Sequence, residues 1–367
     1  MINSTRHSEN TTLTCGVMDD NEEMEVWGFI PEYDTFPIVL AILIIALNSF
    51  VIYLVVRVRY LRTVTNCILG SLAFLDFLNG VLGIPLYLVC SAIQNTVICG
   101  ITQVLTRFFS ISIVLHLVLA SIDRYIAVVH AMRYRSLVTK RRVLYSLLAA
   151  WATAVFVALI QFSWIGFDAD VNEDSEIKIQ RINAIYDSLC IVVFFAVPLI
   201  AMIFCYVRIF VILRQQLRAI EQNNIPSSTR EERRSYKHKR RAALIFISMI
   251  TMYIICWLPY FMLNFQHEFG NEFFTLPILV EYLVFYYPKF LNSLLNPLLY
   301  VFCKHDFRQA IGKIRRKTQE KSVSFSLQNT LGKLNSPAPS SLVLRTFRSH
   351  EQATSRDGSF SVNNLQL

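Results

Sequence analysis

The chain is divided into seven long apolar runs by shorter polar segments. Each run has about 20 residues or more, the length that a bilayer core demands of a helix. Lipid offers no hydrogen bonds to the backbone, so runs of this length must cross it as helices. The pattern predicts seven membrane-spanning helices, called spans one to seven, at residues 36–57, 67–91, 100–126, 143–166, 184–212, 242–266 and 276–302.

The polar segments around the spans complete the predicted organisation. Residues 304–317 alternate apolar side chains with bases, which predicts a short amphipathic helix on the inner membrane surface. The later segment is rich in Ser, Asn and Thr and reads as disordered. The fold class is therefore an all-α membrane protein, a seven-transmembrane helix bundle. Its predicted parts are an extracellular segment, 1–35, a bundle with its surface helix, 36–317, and a disordered cytoplasmic tail, 318–367.

Composition supports a membrane protein over a soluble domain. Hydrophobic residues make up 54% of the 367 residues and charged residues only 17%, below the usual quarter. The net charge of +9 is concentrated in particular loops, so it indicates membrane topology and not nucleic-acid binding. Prolines inside the apolar runs also fit a bundle, because neighbouring helices satisfy the carbonyls that proline frees.

The basic residues predict which side of the membrane each loop occupies. The loops after spans one, three and five, with Arg57 at the edge of the first, and the tail hold 28 of the 35 Lys and Arg residues. Cytoplasmic loops carry this excess. The N-terminus is therefore expected outside the cell, where Asn3 and Asn10 are candidate glycosylation sites, and the C-terminus inside. The outer segments are acidic. Their charge fits either a solvated face or an electrostatic funnel that attracts a cationic ligand.

A set of motifs recurs in order along the spans. An acid, a base and a tyrosine, Asp123-Arg124-Tyr125, close span three at its cytoplasmic end. Charges beside an apolar helix are costly, so such a pair usually has a partner or a function. The other marks are Asn48, "LAFLD" ending at Asp76, Cys99, Trp151, Pro198, Tyr206, "CWLPY" at Cys256–Tyr260, "NPLLY" at Asn296–Tyr300, and Phe307.

In this order and on these spans, the motifs resemble those of the rhodopsin-like (class A) G-protein-coupled receptors over roughly residues 30–317. The resemblance implies a plasma-membrane receptor that activates a heterotrimeric G protein, with Arg124 reaching the G-protein α subunit when Asp123 releases it. Receptor kinases and arrestin are implied partners, and tail hydroxyls such as Ser322 are candidate phosphorylation sites. The tail also fits an ordinary disordered segment.

The resemblance assigns switching roles to other residues. Trp257, beside the kink at Pro259, would move the inner half of span six, and Tyr206 and Tyr300 would meet below it. Pro297 kinks span seven. A polar network, with a structural sodium ion as candidate cofactor, is implied at Asn48, Asp76, Asn292, Ser293 and Asn296.

Two positions depart from the family pattern on the cytoplasmic half. Ile113 replaces the hydroxyl that span three usually adds near the sodium site, which argues against sodium but not against the polar network. Lys239 stands where many relatives place the span-six acid that holds Arg124. Because a base cannot hold a base, we expect raised basal signalling.

The predicted ligand pocket lies in the outer half of the bundle. Amine receptors place an aspartate eighteen residues before Arg124, and this chain has Thr106 there. Thr106, Arg107 and Ser110 share one helix face, and Trp257, Tyr260 and Lys289 complete the candidate pocket. Lys289 is expected to point inward. Three roles stay open for it: a structural partner of Glu281 or of a carbonyl, an anion-binding residue together with Arg107, or a retinal-binding lysine.

The cysteines leave the disulfide partner of Cys99 undecided. The family joins Cys99 to a cysteine before span five, but residues 165–189 contain none. Cys99 is therefore free or pairs with Cys15, or else with Cys90. The other five, which fall in or beside apolar runs, are expected to pack as small hydrophobic side chains.

Alternative functions stay open at this level. An opsin-like photoreceptor needs a retinal-binding lysine, which the family places at the position of Phe290. A constitutively active receptor without a ligand is a second alternative. A pump needs protonatable groups along the membrane, and the chain offers Asp76 alone in mid-bilayer. No nucleophile–base pair, metal cluster or phosphate-binding loop in the sequence suggests an enzyme.

Overall fold

The structure is a computed structural model that describes residues 31–164, 173–222, 226–269, 280 and 282–334. Six of its helices are long and apolar enough to cross a membrane. The seventh helical rod is less apolar because it carries Lys289, Asn292 and Asn296. The predicted seven-helix fold is confirmed.

The seven spans are continuous helical rods, three of them interrupted by a π-helical turn. Span one is Pro31–Arg57, span three Thr96–Val129, span four Lys140–Ile160 and span six Pro226–Phe269. The other three join an α-helix to a π turn: Val64–Leu78, Asn79–Gly83 and Ile84–Ile93 in span two; Glu173–Ile191, Val192–Ala196 and Val197–Gln222 in span five; Tyr282–Tyr286 and Tyr287–Cys303 in span seven.

Each π turn ends two residues before a proline, at Pro85, Pro198 and Pro288. The proline ring clashes with the carbonyl four residues earlier and offers no N–H. A wider turn removes that conflict, so the sequence cause of these π turns is the proline that follows each.

Several helices extend beyond their predicted ends. Spans five and six continue as helix to Gln222 and from Pro226, because the polar residues there are mostly good helix formers. The surface helix runs from His305 to Leu334. The predicted start of disorder at 318 is therefore wrong, since the residues up to 334 lack proline and favour helix, and residues 335–367 lie outside the described residues.

The bundle is a ring of helices with span three at its centre. Span one packs on spans two and seven, and span three contacts spans two, four, five and six. Apolar side chains such as Ile42, Phe156 and Ile200 remain on the outside, more than half exposed, as expected of a lipid-facing surface. The chain divides into two units, the bundle up to Ala310 and the segment from Ile311 onward.

A two-residue connection between spans two and three decides the disulfide. Gln94 adopts the left-handed conformation (φ 53°), and the Asn95 side chain accepts hydrogen bonds from the next helix's first N–H groups. This tight hairpin brings the Cα atoms of Cys90 and Cys99 to 5.0 Å, and the two sulfurs are bonded. The predicted Cys99–Cys15 pair is therefore wrong, since the nearer cysteine already holds Cys99. The remaining described cysteines are free.

Candidate functional site

The carboxylate of Asp123 is the centre of a group of hydrogen bonds, here called the latch, at the C-terminal end of span three. It is 3% exposed. Its Oδ2 accepts from the Thr65 hydroxyl at 2.7 Å and its Oδ1 from the Tyr134 hydroxyl at 2.7 Å. Burial and the hydrogen bond to Asp123 raise the pKa of Tyr134 to about 12, so this loop residue stays a protonated donor. Both carboxylate oxygens are thus satisfied by other elements.

Arg124 is held by the same latch. Its guanidinium donates to Asp123 Oδ2, with Nη2 at 2.6 Å, and also to Thr65. Its Cζ lies 5.7 Å from the ring centroid of Phe246 on span six, a cation–π distance. Arg124 therefore contacts span six through an aromatic ring. Tyr125 is half-buried and packs on His130.

The sequence reading missed Thr65 and Tyr134. A threonine on span two and a tyrosine eleven residues after Asp123 carry no periodic signal that links them to it. A second missed contact joins the same region, where Lys304 donates to the side chain of Asn66. Burial, together with the charge of Arg124, lowers the pKa of Lys304 to about 8.

The predicted polar network is formed between spans one, two and seven. The amide of Asn296 donates to Asp76 Oδ2 at 3.1 Å, and Asn48 donates to the backbone carbonyl of Ser293 at 3.1 Å. Asn79, in the π turn of span two, donates to the Ser293 hydroxyl at 3.0 Å. All five of these side chains are buried. Asn79 was not predicted, because the π turn that aims it inward has no signal in the spacing.

The fit of a sodium ion to this network can be judged from its donors. Asp76 is 0% exposed, and its Oδ1 makes no hydrogen bond within the described residues. The side chain of Asn292 is likewise unpaired there. These oxygens suit a hard cation. The residues therefore fit a monovalent cation on the side of spans two and seven, although Ile113 supplies no oxygen from span three.

A second, partly buried chain of hydrogen bonds crosses spans two, three and four. The Ser71 hydroxyl lies 2.9 Å from His116 Nε2 and accepts from the Trp151 indole at 3.1 Å. The other nitrogen of His116 lies 2.7 Å from the Ser112 carbonyl. His116 and Ser71 were not predicted as site residues. In the sequence, only the motif residue Trp151 indicated a contact in this region.

The predicted switch residue Trp257 lies in an aromatic stack. It is 1% exposed, and its ring centroid lies 5.9–6.1 Å from those of Tyr253, Tyr260 and Phe261. Pro259 lies within the helix of span six, directly after this turn. The rings of Trp257 and Tyr260 meet edge to face, so a movement of Tyr260 reaches Trp257 directly.

Tyr206 and Tyr300, expected to meet through water, are both buried, and neither hydroxyl has a hydrogen-bond partner in the described part of the chain. Tyr300 packs on Phe307 with centroids 5.7 Å apart. Pro297 is buried within span seven.

The half of the bundle that contains the N-terminal end of span three holds an ion pair. Arg107 forms a salt bridge with Asp187 on span five, donates to Gln161 Oε1 at 2.8 Å, and lies 4.6 Å above the ring of Tyr186. The predicted joint anion site of Arg107 and Lys289 is therefore wrong, because Asp187 engages the guanidinium. Of its neighbours on span three, Ser110 is buried and Thr106 half-buried.

Lys289 points into the bundle, as expected. It is 4% exposed, and its Nζ lies 4.1 Å from the ring centroid of Tyr260, 5.1 Å from Phe290, 5.3 Å from Tyr87 and 5.5 Å from Tyr286. The four rings form what is here called the aromatic cage. The expected partner Glu281 lies outside the described residues, as do Asn3, Asn10 and Cys15.

This geometry defines a seven-helix receptor, and comparison with known proteins agrees. Residues 47–300 match the model of the family described as 7 transmembrane receptor (rhodopsin family), so the chain belongs to that family and is a multi-pass plasma-membrane receptor. It is 33% identical to the human histamine H2 receptor over 289 residues, 75% of this chain and 77% of that one. It is also 26% identical to the mouse trace amine-associated receptor 1 over 302 residues, 76% and 88% of the two chains.

Proposed function

We propose that the chain converts binding of an extracellular ligand into activation of a heterotrimeric G protein. The N-terminus lies outside the cell, glycosylated at Asn3 and Asn10, and the C-terminus inside. Movement of Trp257 swings the inner half of span six, so that Phe246 leaves Arg124 and the arginine can reach the G protein. Receptor kinases and arrestin then act on the C-terminal segment.

One observation carries this proposal. Arg124 is held at the inner end of span three by contacts that a second arrangement can break: Asp123, Thr65 and the ring of Phe246. The cation–π contact is the only one of these three to span six. A displacement of span six would therefore release the guanidinium from that ring without breaking a buried ion pair.

The test is nucleotide exchange on purified G proteins by membranes that contain the receptor. We expect Arg124→Ala to abolish exchange when the amount of receptor at the cell surface is equal, because no other described cation forms an ion pair with Asp123. Arg57→Ala is the matched control, since Arg57 is exposed at the inner end of span one. Unchanged exchange by Arg124→Ala, in a receptor that supports it, would refute the coupling mechanism.

The relatives are named for amines, histamine and trace amines, but this chain differs where amine receptors place their aspartate. Thr106 carries no charge there, and the nearby acid Asp187 is already paired with Arg107. An amine held by an ion pair at this face is therefore disfavoured.

An opsin-like photoreceptor is the second candidate, favoured by the buried lysine in span seven. The family's retinal-binding position is Phe290, next to Lys289, and its ring forms part of the cage. An absorbance spectrum after reconstitution with retinal tests this function. A visible band in the wild type that is lost in Lys289→Met would favour it.

A further inference from the structure

Within the described part of the chain, Lys289 is a buried lysine without an anionic partner. No carboxylate of the described residues lies within salt-bridge distance of its Nζ. The aromatic cage compensates part of the cost of burying an ammonium group. Full compensation for a buried charge normally requires a paired charge with hydrogen bonds.

The charged side chains that the structure describes around the cage do not supply that pair. Arg107 and Asp187 neutralise each other through their salt bridge. Thr106, on the facing span three, is uncharged. The charge that remains among these outer residues is therefore the positive charge of Lys289.

We propose that the aromatic cage is the binding site for a small organic acid, whose carboxylate pairs with the ammonium of Lys289. The tyrosines of the cage, Tyr87, Tyr260 and Tyr286, are half-buried and carry hydroxyls that can donate to the acid. Their rings form an apolar wall for the body of the ligand. This inference rests on the proposed receptor function and names its ligand class.

The cage is in contact with the switch. Lys289 Nζ lies 4.1 Å from the Tyr260 ring, whose centroid is 6.0 Å from that of Trp257. A carboxylate that draws the ammonium away from Tyr260 changes the packing of both rings. Lys289 also precedes Asn292, Ser293 and Asn296 by three, four and seven residues on span seven, so it shares a helix face with the polar network.

The acidic outer segments do not decide against an anionic ligand. Their repulsion is screened beyond about 8 Å at physiological ionic strength. It slows the approach of an acid, whereas the affinity depends on the contact of its carboxylate with the Lys289 amine inside the cage.

The experiment uses the full-length receptor, purified in lipid nanodiscs, and measures melting temperature and binding. The probes are benzoate, phenylacetate and indole-3-acetate, each with its neutral amide, and phenethylamine as a cation. The variants are Lys289→Met, Lys289→Arg and the matched control Lys178→Met, because Lys178 is an exposed lysine near the start of span five.

We expect at least one acid to raise the melting temperature of the wild type and of Lys178→Met, while its amide and the amine do not. Lys289→Met should bind that acid about ten- to a hundredfold more weakly, the loss expected for a hydrogen bond between charged groups, and Lys289→Arg should retain part of the affinity. Without ligand, Lys289→Met should melt higher than the wild type, because it removes an uncompensated buried charge.

Several outcomes would overturn the proposal: no acid that binds up to millimolar concentration, an amide as effective as its acid, equal binding by Lys289→Met, or a retinal band that requires Lys289. If Lys289→Met does not fold, the acid-against-amide comparison on the wild type and Lys289→Arg decides. Acid binding without G-protein exchange would refute the receptor function alone, and exchange without acid binding would refute the ligand class alone.

Discussion

The hydroxyl of Tyr134 is the contact of the latch that can be removed with the least disturbance. Tyr134→Phe deletes the donor to Asp123 Oδ1, at 2.7 Å, and keeps the ring. A hydrogen bond to a charged group contributes about 1.5–3 kcal/mol. Tyr134 is half-buried, so the lower end, about 1.5 kcal/mol, applies.

A loss of this size from the latched state changes the conformational equilibrium about tenfold. We therefore expect basal nucleotide exchange to rise by up to that factor. Any contact that the Tyr134 hydroxyl also forms in the active state makes the rise smaller, because its loss destabilises both states. Thr65→Val removes the donor to the other oxygen, Oδ2, and should raise basal exchange as well.

The assay is basal exchange per receptor at the cell surface, without ligand. Tyr145→Phe is the control, because Tyr145 is 69% exposed on span four. Basal exchange that stays level or falls in both Tyr134→Phe and Thr65→Val would show that the Asp123 contacts do not stabilise the inactive state.

Three further predictions concern other parts of the bundle. Lys239→Glu places an acid at the position of span six where many relatives have one that pairs with the span-three arginine. The variant should lower basal signalling in cells, and an equal or higher signal would count against this prediction. Gly83→Ala would place a Cβ 2.2 Å from Asn79 Oδ1 and 3.2 Å from Phe109, so it should lower stability by about 1–3 kcal/mol in a thermal melt. Gly70→Ala, whose Cβ would lie 3.4 Å from Val55, is its tolerated control, and equal melting of the two variants would contradict the clash. If a sodium ion binds at Asp76, sodium should alter ligand affinity in the wild type but not in Asp76→Asn; equal sodium dependence in both removes the ion.

Hydropathy was sufficient to predict the seven helices, because membrane burial requires long uninterrupted apolar runs. Contacts between spans were harder to predict. The network residues Asp76 and Asn296 were expected to meet because both are polar in mid-membrane. The pairing of Arg107 with Asp187 had no such signal, since periodicity along one helix says nothing of the rotation of another.

The disulfide was also hard to predict from the sequence, here because of local backbone geometry. Cys90 and Cys99 are nine residues apart, and their contact depends on a left-handed residue, Gln94, followed by a capping asparagine. Glycine is the usual signal for that conformation, and glutamine gives none. The tail helix to Leu334 was missed for a different reason, because a polar composition was read as disorder.

The widened turns before Pro85, Pro198 and Pro288 each hold one residue more than a regular helix of the same rise. That extra residue is taken up within the turn, because the hydrogen bonds of a π turn run from i to i+5. Losing it would restore the regular helix and redirect the side chains of the turn itself, while the helix on either side stays close to its present orientation. A single-codon deletion at any of these turns therefore changes the lining of the bundle locally. The fold thus allows that lining to diversify between related genes while the contacts around Asp123 stay in register.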